Sequence, residues 1–197
     1  LEINQENTNY HYNLGLIYSN TDRFNASIIS YKKALQFDQK NYAANLNLGA
    51  ILLKLGNFEE SQKYLEIALS LKTKSYESEY NLGQIYLFTK KFEKAEEHFR
   101  KALIMSKNNY EIHRYLGIVQ FMNSSKECLK NINKSIELNP KKNISHVLKS
   151  IISSRKISID SNNDMKSNYY ENFGNTPVIL NRNCLLYTSP SPRDRYI

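Results

Sequence analysis

Three asparagines, Asn13, Asn47 and Asn81, stand 34 residues apart, and each is followed by Leu-Gly. A primary amide offers two donors and an acceptor, so a row of them can hold an extended peptide by its backbone. One such hydrogen bond nets only about 1 kcal/mol, so affinity would come from several acting together. Few other residues offer chemistry. His11 and His113 fall at one position of the same 34-residue register, with Asn45 and Glu79 at that position between them. They are too far apart to share a metal, which needs contacts of about 2 Å. His98 and His146 are isolated. No nucleophile is accompanied by a base and an orienting group, and neither a phosphate loop nor a zinc spacing is present. Catalytic residues, a metal and a cofactor are therefore not expected.

The register that places these amides runs through the chain. Leu14-Gly15 is followed at equal intervals by Leu48-Gly49, Leu82-Gly83 and Leu116-Gly117, and Ala34-Leu35 by Ala68-Leu69 and Ala102-Leu103. A fixed period of this size marks a repeat array. Within each period two apolar stripes recur at helical spacing. The first repeat reads Tyr10, Leu14, Ile17 and Tyr18, then a turn at Asn20–Arg23, then Phe24, Ile28, Tyr31 and Leu35. The second and third repeat the scheme around turns at Gly56-Asn57 and Lys90-Lys91, with Phe58 and Phe92 opening the second stripe. In the fourth, the turn at Asn123-Ser124-Ser125 is read as one residue short, Ser125 stands for the Phe, and Ser135-Ile136 stands for Ala-Leu. The glycines and alanines are expected where helices approach closely, and the phenylalanines between layers.

This pattern resembles the tetratricopeptide repeat. The resemblance implies an all-α, α-α superhelix: a solenoid of four helix-turn-helix repeats plus a terminal helix. The expected boundaries are a disordered end at 1–7 and an array at 8–157. The array comprises repeats near 8–41, 42–75, 76–109 and 110–142, with 143–157 as a cap or half repeat. A linker, or the start of a further domain, is expected at 158–183. Residues 184–197 resemble a translated sequencing adaptor and are expected to be an artefact. A chain opening on Leu1 is expected to be cut at that end, so its lack of a leader does not bear on compartment. A cytoplasmic setting is the expectation.

In this family the first helix of each repeat lines a concave groove. The resemblance implies a peptide-binding stripe of Asn9, Asn13 and Asn20, then Asn47 and Lys54, then Asn81, Gln84 and Phe88, then Tyr115 and Met122. Its amides resemble the asparagine ladder of O-GlcNAc transferase repeats; Tyr115 breaks the row. The clamp that binds chaperone C-termini would need Lys, Asn and Arg where this chain has Tyr12, Leu16, Asn47, Glu77 and Asn81. Only the Asn matches, so that function is rejected. The expected function is a protein-interaction scaffold that binds a protein or peptide segment. Its rival is the substrate-recognition segment of a methyltransferase, glycosyltransferase or sulfotransferase.

Composition narrows the partners. The net charge is +8 and there are two cysteines, of which Cys184 lies in the suspect tail. Cys128 alone cannot form a disulfide framework within the fragment. Lys141, Lys142, Lys149, Arg155 and Lys156 form a basic cluster, read as a solvated helix face, and the tyrosines do not interleave with it. Nucleic acid is therefore disfavoured as a partner. No apolar run approaches the ~18 residues of a membrane span.

Overall fold

A computed structural model describes residues 2–155. Among the described residues it contains nine α-helices and no strand: α1 Glu2–Asn20, α2 Phe24–Phe37, α3 Tyr42–Lys54, α4 Phe58–Leu71, α5 Tyr76–Phe88, α6 Phe92–Met105, α7 Tyr110–Met122, α8 Cys128–Leu138 and α9 Asn143–Arg155. The expected linker at 158–183 and tail at 184–197 lie outside the described residues, as do Lys156 and the final residue of the expected 143–157 helix.

Local chemistry fixes the helix ends. The first helices of repeats two to four are capped by side chains: Asn41 accepts from the Ala44 amide, Ser75 from Ser78, and Asn109 from Glu111 and Ile112. Such caps satisfy amides that have no intrahelical partner. Two residues past the end of each first helix stands a residue in the left-handed region, Asp22 at φ 56°, Gly56 at 81°, Lys90 at 62° and Ser124 at 58°. In the second repeat the Asn57 amide donates to the Leu52 carbonyl and the Gly56 amide to Leu53. That is a Schellman motif, and the other three turns repeat it with a non-glycine in the strained position.

The helices fall into two compact units, one through Lys107 and one from Asn108 onward. In the first unit α1 packs on α2, α3 on α4 and α5 on α6, while α2 meets α3 and α4 meets α5. The glycines have the predicted role. A Cβ at Gly49 would lie 2.6 Å from the Leu65 side chain, and Gly15 and Gly83 stand the same way against the Tyr31 and Phe99 rings. Ser27 and Ser61 then donate across the contact to the Gly15 and Gly49 carbonyls, each at 2.7 Å. Ala34, Ala68 and Ala102 are fully buried. Tyr31, Ala34 and Leu35 of α2 pack with Ala44, Leu48, Ile51 and Leu52 of α3 in one cluster.

Two sequence expectations are corrected. Of the end expected to be disordered at 1–7, residues 2–7 are helical, because α1 runs back to Glu2. Gln5 donates to Asn9 one turn later, and no cap interrupts the helix at Asn7. The shortening in the fourth repeat also lies elsewhere. Ser124 keeps the left-handed conformation, and the Ser125 amide donates to the Gln120 carbonyl at 2.7 Å, as Lys91 donates to Tyr86. Ser125 thus takes the place of Lys91, not of the Phe, and the turn keeps the 34-residue spacing. The lost residue falls afterwards, in what would be the first turn of α8, which begins only at Cys128. Gly117 accordingly meets Ile132, one residue earlier than the spacing of Gly83 and Phe99 requires.

The second unit packs α7 on α8 and α8 on α9. A part-buried polar relay joins α7 and α8. Asn131 shares a 2.9 Å hydrogen bond with His113 Nδ1 and donates to Gln120 at 2.8 Å, and Gln120 donates to Glu127 at 3.2 Å. Ser135, where earlier repeats have alanine, shares a 2.9 Å hydrogen bond with Ser145 of α9.

Candidate functional site

Within the first unit, Asn9, Asn13 and Asn20 lie exposed on α1, Asn47 half-buried and Lys54 exposed on α3, and Asn81, Gln84 and Phe88 half-buried on α5. Exposure falls from α1 to α5 because each later helix is flanked by a preceding repeat. The amides are not all engaged alike. Asn47 Nδ2 donates to the Tyr12 hydroxyl at 3.3 Å, linking α3 to α1, while Gln84 donates to Asn81 at 3.5 Å within α5.

Lys54 and Phe88 occupy equivalent positions and act alike. The Lys54 ammonium lies 4.0 Å from the centre of the Phe24 ring and 3.3 Å from Asp22. Phe88 stacks on Phe58 with ring centres 5.7 Å apart. Each residue therefore covers the phenylalanine that opens the second helix of the preceding repeat. Both are inter-repeat contacts.

In the second unit Tyr115 and Met122 are buried on α7, and Ile118 is half-buried. The Arg114 guanidinium lies 4.9 Å from the Tyr115 ring centre. Buried side chains make poor peptide contacts, so these two belong to the packing of α7. Of the basic cluster, Lys141 and Lys149 are exposed and Lys142 is half-buried; the Arg155 side chain and Lys156 lie outside the described residues.

The sequence brings up Tyr12 only as a clamp position and does not show its link to Asn47; it precedes Asn13 and on a helix points about 100° away from it. Its hydroxyl is the acceptor for Asn47, and its ring lies 5.8 Å from that of Tyr31. Burial pushes the Tyr31 hydroxyl up to about 12; the nearby Tyr12 adds to the push, and Asn47 and Ser27 partly offset it. A second cluster also escaped notice. His98 Nδ1 lies 2.6 Å from Glu79, and the His98 ring stacks on Tyr86. Burial raises the Tyr86 hydroxyl above its ordinary value. The three come from α5 and α6, so the pair closes the third repeat internally, as the His113–Asn131 bond closes the fourth. Its signal was the shared register of Glu79 and His113, which the sequence shows without its partners.

The histidines do not converge. The His11 ring stacks on Phe37, and His146 approaches the Pro140 carbonyl at 3.1 Å. No group of three or more metal-binding side chains occurs among the described residues. No described helix is long and apolar enough to cross a membrane.

Comparison with known proteins agrees with this architecture. Tetratricopeptide repeat family models match residues 8–41 and 41–108. No curated protein matches. Among solved structures, MamA from Desulfovibrio magneticus RS-1 is 21% identical with a TM-score of 0.64, over 70% of this chain and 79% of that one. PilF of Pseudomonas aeruginosa is 17% identical with a TM-score of 0.68, over 85% and 75%. YrrB, described as a TPR protein with an unusual peptide-binding site, is 18% identical with a TM-score of 0.63, over 74% and 76%. These likenesses concern the fold. Paired helices, glycine-mediated contacts and family matches that together span more than half of the sequence establish that the chain belongs to the tetratricopeptide repeat family.

Proposed function

We propose that this chain is a protein-interaction scaffold whose first unit binds an extended segment of a partner protein along α1, α3 and α5. The observation that carries this reading is the row of Asn13, Asn47 and Asn81, one per repeat at one helical position. Their amides can pair with backbone amides and carbonyls regardless of the bound sequence. The peptide-binding site ascribed to YrrB lends support from a similar fold. Lys54 is paired with Asp22 and Asn47 with Tyr12, so the exposed Asn13 is the cleanest probe.

The test is a peptide-display screen against the chain, followed by titration of the hits. Asn13→Ala should weaken binding about fivefold, the equivalent of roughly 1 kcal/mol, without changing Tm. Hits that bind Asn13→Ala and Asn81→Ala as tightly as the parent would rule out the asparagine row as the site.

A further inference from the structure

Two large apolar side chains of α1 stand open on one side of the helix, among polar neighbours. Tyr10 is 63% exposed and Ile17 58%. In α3 the same register holds Ala44 and Ile51, and in α5 Ser78 and Ile85, all buried. For α3 the covering residues are Tyr31, Ala34 and Leu35 from the second helix of the preceding repeat. The register extends ahead of α1 as well. Leu1, Ile3 and Asn7 stand 34 residues before Leu35, Phe37 and Asn41, where α2 ends and the cap of α3 sits. Leu1-Glu2-Ile3-Asn4 also parallels Ile136-Glu137-Leu138-Asn139 at the end of α8.

We infer that the open face of α1 is a docking surface for one more repeat hairpin, encoded directly ahead of Leu1. Two independent observations meet here: an uncovered face whose counterparts in α3 and α5 are covered by a preceding repeat, and seven residues in the register of a second helix and its exit loop. In that setting residues 1–3 complete the preceding second helix and Asn7 caps α1. In the chain as it stands α1 runs from Glu2 on through Asn7. A solenoid end that is not a docking surface normally presents polar residues.

The test extends the chain with its own sequence. A copy of residues 42–68 is joined ahead of Leu1, which continues the period in phase; a control carries two extra glycines at the join. The in-phase chain should gain about 5 °C or more in Tm over the control. Ile17→Lys should leave the Tm of the original chain unchanged, since that side chain is exposed there, and should remove most of the gain in the extended chain. Equal Tm values for the in-phase and control chains would overturn the inference, as would indifference to Ile17→Lys in both backgrounds. Concentration-dependent dimerisation of the original chain that Ile17→Lys abolishes would assign the face to a second copy instead, and would also overturn it. Reading the coding sequence ahead of Leu1 should reveal a glycine 34 residues before Gly15 and a small residue directly before Leu1. An initiation codon too close to Leu1 to encode a hairpin would refute this.

Discussion

Tyr31 shows how one side chain can set a condition on the whole fold. Its ring fills the space that Gly15 leaves open, and its hydroxyl is buried. Below pH 10 the hydroxyl is neutral whether the chain is folded or not. Above that, the unfolded chain loses the proton first, because the folded group holds it up to about 12. Stability should therefore fall as pH rises from 10 to 12, by roughly 2–3 kcal/mol from this group. Tyr76 and Tyr86, also raised by burial, act in the same direction. Urea unfolding at a series of pH values checks this: Tyr31→Phe should shallow the alkaline slope while leaving the remainder. The candidate site was legible in part at this scale. Spacing alone brought Asn13, Asn47 and Asn81 to one helical position. The Tyr12–Asn47 bond was not legible, because it joins two repeats and depends on how far one is rotated against the next.

The helices were legible because their signals are local: Leu-Gly in the first, an aromatic opening the second, and small residues near its end. What was not legible is where the fourth repeat loses its residue. The sequence gives only the total between Gly117 and Ser135; the conformation of Ser124 is needed to place the loss in the first turn of α8. The four turns also make a controlled comparison. Gly56 has nothing near the position of an added Cβ, so Gly56→Ala pays only for the left-handed backbone, about 1 kcal/mol. Lys90→Gly, at the same turn position, should gain roughly 0.5–1 kcal/mol. Thermal melts of the two single variants should shift in opposite directions.

For the whole molecule, stability in a repeat array is close to a sum of repeats and their neighbour contacts. The first unit holds three full repeats, about the number needed to bury a continuous core. A fragment of residues 1–107 should therefore melt cooperatively by circular dichroism, whereas residues 108–155 alone should be largely unfolded. The expected terminal helix is α9, Asn143–Arg155. Followed backward from Leu14, the 34-residue period reaches Leu1. The lost residue in α8 has a consequence for heredity. Any exchange of coding sequence among the first three repeats leaves Gly49 opposite Leu65, or an equivalent pair, in step. An exchange that crosses into the fourth carries a 33-residue spacing with it and sets Gly117-type and Phe99-type positions out of step. Duplication of any of the first three cassettes lengthens the array without disturbing the 34-residue period.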